Sequence, residues 1–297
     1  MRTNEQILSR MAEDLRLRGL AVRTQEAYFD DARIFLKWAG CQAESMDEEN
    51  IRAFVNHLIT AKKLCASTIN VYNAALRFLF AVTLNRNLNY RQIPNMKQVR
   101  GIPEILTKDE LTKVFENAYT LQSKAILMTL YGTGMRLSEA CSLRVRDIDS
   151  EAMRVFINHG KGGKDRYTLL SQTNLDILRD YWNAYRPKHP DGWLFLCRDR
   201  SNKANKRAVE DAFKSAVKRA GISKDVSTHT LRACFATHLL EAGADIYQIK
   251  QLLGHASINS TTFYLRLRRF DPNLKSPLDS IPKKHGHTPG NEVSADA

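Results

Sequence analysis

Apolar residues recur at helical spacing through the first quarter of this 297-residue chain, and this spacing predicts four amphipathic helices. Thr24, Asp47 and Ser67 precede the second, third and fourth apolar stripes, and we expect them to cap those helices. Because each stripe covers one face, the helices would pack into a small bundle over residues 1–88. The stripes are Ile7, Leu8, Met11, Leu15 and Leu17, then Tyr28, Ala32, Phe35, Leu36 and Trp38, then Ile51, Phe54, Val55 and Leu58, and finally Ile69, Tyr72, Ala75, Leu76, Phe78 and Leu79.

Residues 89–104 interrupt this periodicity and predict a basic interdomain linker, since they are rich in Asn, Pro and positively charged side chains. A second periodic region follows over residues 105–272, so we expect two domains. Residues 273–297 are rich in Pro, Gly, His and polar side chains, and they predict a flexible C-terminal tail.

The second region combines helical stripes with two β-like segments and therefore predicts a mixed α/β domain. Residues 153–158 and 166–170 have the composition of strands, and the glycine-rich residues between them would form a hairpin tip. Thr107 and Glu110 form a capping-box pattern at the start of the first helix of this region. The helical patterns occupy residues 107–118, 121–130, 174–185, 206–220, 231–242, 246–253 and 259–265. The chain is thus predicted to be mainly α with a small β-sheet.

The composition favours a polyanionic partner and a reducing compartment. The net charge is +13 and the pI is near 9.6, and clustered Lys and Arg can replace the counterions of a phosphate backbone. A basic protein without such a partner would carry the same charge. The five cysteines are odd in number and lack C-x-x-C spacing, which predicts neither a disulfide framework nor a zinc site. With no signal-peptide pattern and no apolar run of roughly 18 residues, we expect a cytoplasmic protein without membrane association.

Two arginines stand in contexts that suit them for binding a phosphate. Arg136 follows a Gly-Thr-Gly turn near a predicted helix start, and Arg232 lies three residues after His229. A guanidinium stays charged, and its planar fork matches two phosphate oxygens better than an ammonium does. Because residues three apart share a helix face, the imidazole of His229 would lie beside Arg232. Taken singly, each arginine would more often be a surface ion-pair residue and the histidine a core residue.

Tyr264 is the candidate nucleophile. Its phenol can attack phosphorus, displace the leaving oxygen and form a phosphotyrosine, which conserves the energy of the broken bond. No metal, ATP or other cofactor is then required. A single tyrosine on a helix is commonly a packing residue. The polar run Ser260-Thr-Thr262 and His255 ahead of it favour the catalytic interpretation.

Together these motifs resemble the active-site pattern of the tyrosine recombinase (phage integrase) family over residues 8–265. The resemblance rests on the segment from Tyr131 to Glu139, on Gly160-Lys-Gly-Gly-Lys164, on His229-Thr-Leu-Arg232, on Leu252-Leu-Gly-His255 and on the segment from Ser260 to Tyr264. It implies a SAM-like N-terminal core-DNA-binding domain and a catalytic domain of the DNA breaking-rejoining fold. Ala233, where many relatives have histidine, and Leu265-Arg-Leu267 depart from the common pattern and leave the subfamily open.

The resemblance also implies a catalytic set, which is Arg136, Lys161, His229, Arg232, His255 and Tyr264. Lys161 would be the general acid that protonates the leaving 5′ oxygen. His229 would hydrogen-bond the scissile phosphate and manage the tyrosine proton, and His255 would position the phosphate near the nucleophile.

The glycine-rich segment around Lys161 also suggests a nucleotide-binding P-loop. That alternative is excluded because Asp165 follows Gly163-Lys164 where a P-loop requires Ser or Thr. Lys164 and Arg166 are instead expected to contact phosphates of the DNA backbone.

The resemblance implies a site-specific recombinase that cleaves and rejoins DNA strands through a 3′-phosphotyrosine intermediate. Its partners would be double-stranded DNA and three further protomers in a homotetramer on paired recombination sites, alone or with a second recombinase. Residues 266–278 would be exchanged between protomers. Integration or excision of a mobile genetic element is the favoured role. The alternatives are Xer-type chromosome dimer resolution, a catalytically silent DNA-binding accessory protein and a type IB topoisomerase.

Overall fold

The computed structural model describes residues 2–86, 95–97, 104–158 and 165–267. The chain divides into two compact units, Met1–Gly101 and Ile102–Ala297. The domain extents 1–88 and 105–272 stay predictions. Within the described ranges, no helix is both long enough and apolar enough to cross a membrane.

Four α-helices and two short helical turns form the described part of the first unit. They are α1 (Asn4–Leu17), α2 (Val22–Ala39), a 3₁₀ turn (Ala43–Ser45), α3 (Glu48–Thr60), α4 (Ala66–Phe78) and a π-helical turn (Leu79–Thr83). Thr3 and Asp47 cap α1 and α3 in capping boxes. Phe35 packs edge-to-face against Phe54 and Phe80, with ring centroids 5.2 and 6.1 Å apart, at the centre of an apolar core. The predicted helical bundle is therefore confirmed.

Two predicted caps are wrong in the first unit, and two residues of the predicted apolar stripes are exposed. The N-cap of α2 is Ala21 rather than Thr24, because the backbone N–H of Thr24 already bonds to the Ala21 carbonyl at 2.8 Å. The N-cap of α4 is Cys65 rather than Ser67, whose hydroxyl lies 3.1 Å from the Cys65 Sγ inside the first turn. Leu17, the last residue of α1, is 85% exposed, and Trp38, near the end of α2, is 39% exposed.

The described part of the second unit contains eight α-helices and one sheet. The helices are α5 (Lys108–Glu116), α6 (Leu121–Thr133), α7 (Leu137–Cys141), α8 (Gln172–Tyr185), α9 (Lys206–Arg219), α10 (Thr228–Glu241), α11 (Ile246–Leu253) and α12 (Asn259–Thr262), with 3₁₀ turns at Val145–Asp147 and Phe263–Arg266. The predicted capping box of Thr107 and Glu110 opens α5. Helices α6 and α10 carry buried residues on all sides and pack against each other at the centre of this unit.

A three-stranded antiparallel sheet covers one side of the second unit. Its strands, in spatial order, are β1 (Ile148–Asp149), β2 (Arg154–Ile157) and β3 (Arg166–Leu169). Val155 and Thr168 face each other on the buried side of β2 and β3. β2 and β3 agree with the prediction, whereas β1 has two residues and is too short to produce an alternating pattern. The predicted hairpin tip, with Lys161 and Lys164, lies outside the described residues.

Candidate active site

Arg232 lies in the second turn of the central helix α10 and is only 2% exposed. Its guanidinium donates hydrogen bonds to the carbonyl oxygens of Gly134 at 2.7 Å and Leu253 at 2.6 Å. These carbonyls stand at the C-terminal ends of α6 and α11, where the helix dipoles place partial negative charge. Burial lowers the pKa of Arg232 to about 10, so the side chain stays charged at neutral pH.

Gly134 makes this approach of helices sterically possible. Its φ is +62°, and a Cβ at this position would lie 2.3 Å from Cδ1 of Phe235 on α10. A residue with a side chain would therefore have to displace a core ring as well as adopt a strained backbone. Two residues later the chain reaches Arg136, which is the N-cap of α7. The turn thus brings Arg136 to the region where Arg232 is anchored.

Arg136 and Arg166 share the carboxylate of Glu139. Its Oε1 accepts from Nη1 of Arg136 at 2.8 Å and from Nη1 of Arg166 at 3.1 Å. Its Oε2 accepts from the backbone N–H of Arg136 and from Nη2 of Arg166, both at 2.7 Å. Burial alone would raise the pKa of Glu139, but the bonds from Arg166 and Arg136 hold it below its ordinary value. With four bonds the carboxylate is saturated, and it fixes the direction of the Arg136 side chain, which is 23% exposed.

The prediction that Arg166 contacts backbone phosphates is wrong. The Arg166 side chain is 8% exposed, and its guanidinium lies on Glu139 instead of at the surface. Its Nε also donates to the carbonyl of Leu252 at 2.9 Å. Gly254, with φ +64°, leaves room for this side chain, since a Cβ there would lie 2.7 Å from the Arg166 Cδ. Arg166 therefore ties β3 to the C-terminal end of α11, just before His255.

The rings of His255 and Tyr264 stack, with centroids 6.0 Å apart and an interplanar angle of 18°. The Nδ1 of His255 lies 2.9 Å from the hydroxyl of Thr261. Burial, with the positive charges of Arg232 and Arg136, lowers the pKa of His255 to about 4. Burial raises the pKa of Tyr264, against the opposing effects of the charge and hydrogen bond of Arg232. At neutral pH the site therefore holds a neutral imidazole and a protonated phenol.

His229 lies on α10 one turn before Arg232 and is exposed. The neighbouring protein still removes water from its ring, and this desolvation lowers its pKa. The positive charges of Arg232 and Arg136 lower the pKa further. His229 is therefore a second neutral imidazole at neutral pH, at the open side of the site.

The structure brings five of the predicted site residues together, and each of them interacts electrostatically with at least one of the others. They are Arg136, His229, Arg232, His255 and Tyr264. The sixth, Lys161, lies outside the described residues. Sequence reasoning missed the link from Arg136 through Glu139 to Arg166. The capping-box spacing of Arg136 and Glu139 is a signal that could have found its first half.

This arrangement has the groups needed to bind and attack a phosphodiester. The guanidiniums of Arg136 and Arg232 can neutralise its non-bridging oxygens. The phenol of Tyr264 can act as nucleophile once a base accepts its proton, and a neutral imidazole is a suitable acceptor.

Known proteins give an independent comparison. The sequence profile of the Phage integrase family matches residues 104–269, and that of the Phage integrase N-terminal SAM-like domain matches residues 7–90. A putative integrase/recombinase, y4qK, of Sinorhizobium fredii is 40% identical over 92% of this chain and 89% of its own length. Tyrosine recombinase XerD of Listeria monocytogenes is 30% identical over 85% of this chain and 90% of its own length. The crystal structure of a lambda integrase dimer bound to a COC′ core site superposes with a TM-score of 0.72 at 20% identity, over 91% of this chain and 79% of that one, and shows the same fold.

Proposed function

The chain belongs to the phage integrase family and is a site-specific tyrosine recombinase, and we propose that its cleavage chemistry is carried out at Tyr264 by the residues gathered around Arg232. The observation that carries this proposal is the placement of a buried phenol beside a buried guanidinium and a stacked neutral histidine. If the Tyr264 phenol served only in packing, it would not need a desolvated guanidinium beside it.

In the proposed reaction, Arg136 and Arg232 bind the non-bridging oxygens of the scissile phosphate. The Tyr264 oxygen attacks phosphorus, so that a phosphotyrosine bond forms at the 3′ side and the bond from phosphorus to the 5′ oxygen breaks. Lys161 donates a proton to the departing 5′ oxygen. A 5′ hydroxyl of another strand reverses these steps and rejoins the DNA. No net bond energy is lost, so the cycle uses neither ATP nor a metal.

The two histidines divide the remaining work. His229 is neutral and exposed, so it can accept the phenol proton as Tyr264 attacks. His255 is stacked on the nucleophile and hydrogen-bonded to Thr261, so it holds the phenol ring in place.

We further propose that the substrate is double-stranded DNA and that four protomers act together on paired sites in the cytoplasm. The lambda integrase tetramer bound to a Holliday junction has the same fold, at 19% identity and with a TM-score of 0.72. The net charge of +13 suits a DNA partner. Integration or excision of a mobile element is the favoured role, because two relatives named integrase/recombinase are 40% and 41% identical to this chain. Xer-type dimer resolution is the second candidate, supported by the 30% identity to XerD.

Covalent trapping tests the proposal. Wild type and Tyr264→Phe are incubated with a library of DNA fragments that includes the flanks of the gene, and the adducts that resist detergent are sequenced. Adducts that occur only with wild type would establish the nucleophile and identify the DNA site. Adducts formed equally by both proteins would exclude Tyr264. DNA binding without any adduct would favour a catalytically silent accessory protein.

A further inference from the structure

Trp193 carries two cations on its indole ring. The Cζ of Arg144 lies 4.6 Å and the Nζ of Lys203 lies 5.0 Å from the ring centroid. Both contacts are within the range of cation–π attraction. The indole thus gathers two positive charges from distant parts of the chain at one place in the second unit.

Backbone pairing fixes the segments that carry these three side chains. Arg144 forms an antiparallel bridge with Trp193, and Lys203 forms another with Leu196, three residues after the tryptophan. The backbone N–H of Leu194 donates to the carbonyl of Leu143 at 2.8 Å. The arrangement of the two cations and the ring is therefore built into the fold.

A cavity lies between the contact of Arg144 with Trp193 and the Glu139 carboxylate of the candidate active site. Its volume is about 300 Å³, and its lining includes Ser142, Arg144 and Trp193 together with Glu139. The Nζ of Lys203 reaches the rim of this region, where it donates to the hydroxyl of Ser142 at 2.8 Å. Glu139 is already saturated by Arg136 and Arg166 and cannot serve as a further acceptor.

Among the described residues, neither Arg144 nor Lys203 forms an ion pair. In the part of the chain that the structure describes, no carboxylate oxygen lies within 4.0 Å of a side-chain nitrogen of Arg144 or Lys203. Asp147 accepts the backbone N–H of Arg144 rather than its guanidinium. Two like charges on one ring repel each other, and an anion bound to both would remove that repulsion.

We propose that Arg144 and Lys203, held by Trp193, bind a phosphate of the DNA backbone next to the scissile phosphate. This inference rests on the proposed function and extends it to a second contact on the same strand region. Trp193 keeps the two long side chains ordered before DNA arrives, so less side-chain entropy is lost on binding. The contact positions the duplex without reading its sequence, since phosphates carry no base identity.

The salt dependence of DNA binding tests the proposed phosphate contact of Arg144 and Lys203. A labelled duplex of arbitrary sequence is titrated with each protein over a series of KCl concentrations, because phosphate contacts do not require the recombination site. The slope of log Kd against log salt is expected to decrease in magnitude by about 1 for Lys203→Gln and by about 2 for Arg144→Gln with Lys203→Gln. Trp193→Leu keeps both charges and is expected to bind roughly fivefold more weakly at an unchanged slope.

Arg219→Gln is the matched control, because it removes one positive charge that also lies over an aromatic ring, that of Tyr119, at the far end of α9. Lys203 is exposed, so Lys203→Gln removes no core contact. If Lys203→Gln and Arg219→Gln have equal slopes, the proposed phosphate contact of Arg144 and Lys203 is wrong. A steep slope for wild type would still support DNA binding in that case. A wild type that binds the duplex without salt dependence would overturn the proposed DNA contact as a whole.

Discussion

The two units of the chain bury different kinds of side chain. In the described part of the first unit, the buried polar side chains are Asn73 and Thr83, and neither is charged. In the second unit Arg232 is 2% exposed, and the side chains of Glu139 and Arg166 are 7% and 8% exposed. Both units have an apolar core, but the second also keeps ionised groups where water is largely excluded.

This difference distinguishes the apolar side chains that stabilise both units from the buried charges that serve the chemistry of the second. Transferring an isolated ion from water into a protein interior costs several kcal/mol, and good hydrogen bonds must offset that cost. Here two helix C-termini offset it for Arg232, and a saturated carboxylate offsets it for Arg166. The same desolvation strengthens the attraction between these fixed charges and a phosphate. The charged interior of the second unit is thus best explained by the substrate it binds.

Removing the central charge should have the largest effect. Arg232→Ala is expected to slow single-turnover cleavage on the order of 1,000-fold, because it deletes a preorganised contact to the charge that develops on the phosphate. Arg232→Lys should not restore the rate, since an ammonium cannot match the fork that spans two carbonyls. The measurement is the rate of adduct formation on a trapped DNA site. Arg179→Ala, which removes an exposed charge from α8, is the control, and equal rates for both alanine variants would refute the assignment.

Removing Arg166 should act mainly on stability. Arg166→Met leaves the Glu139 carboxylate buried without its principal partner, and it is expected to lower the free energy of unfolding of the second unit by about 3–5 kcal/mol. Urea unfolding in a Trp38→Phe background reports on this unit, because the other two tryptophans belong to it. Arg154→Met breaks an ion pair with Asp149 that is more exposed, and should cost about 1 kcal/mol or less. Equal losses for the two variants would contradict the role of Arg166.

The two units should respond to pH in opposite directions. Burial lowers the pKa of His255 from 6.5 to about 4, so the unfolded chain binds more protons between these values and the second unit loses stability as pH falls from 6.5 towards 4. Burial, with the charge of Asp30, raises the pKa of Asp31 from 3.8 to about 6, so this carboxyl makes the first unit lose stability as pH rises from 3.8 towards 6.

Single substitutions isolate each contribution to this pH dependence. His255→Gln should flatten the pH dependence of the second unit, and Asp31→Asn should remove the loss in the first unit as pH rises. Trp38 fluorescence follows the first unit when Trp182 and Trp193 are replaced by Phe. If Asp31→Asn and wild type change in parallel between pH 3.8 and 6, burial of Asp31 has no energetic consequence.

Features of this fold that depend on neighbouring residues are predictable from the sequence, and features that depend on distant residues are not. The helices behind Asp47 and Thr107, which have side-chain caps, begin where the sequence predicts. The helices behind Ser171 and Ser227 also have capping side chains, but they begin two and three residues before the predicted starts. The start of α2 was misplaced because Ala21 caps it without any side-chain bond. Catalytic candidates could be identified from short motifs, since the chemistry requires particular residue types. The burial of Arg166 could not be predicted from the sequence, because its partner Glu139 lies 27 positions away and contacts it only in the folded unit.

The smallest expected effect is on two of the capping boxes, the one at Thr3 in the first unit and the one at Thr107 in the second. Thr107→Ala removes the acceptor for the Glu110 N–H in a partly buried setting, where Glu110 also binds Lys224 at 2.6 Å, and should destabilise the second unit by about 1 kcal/mol. Thr3→Ala removes the same bond to Gln6 at an exposed position, and should cost roughly half as much because water can replace the lost acceptor. Urea unfolding measures both losses, by Trp38 fluorescence with Trp182 and Trp193 replaced by Phe for the first unit, and in a Trp38→Phe background for the second. A larger loss for Thr3→Ala would mean that exposure does not determine the strength of these caps.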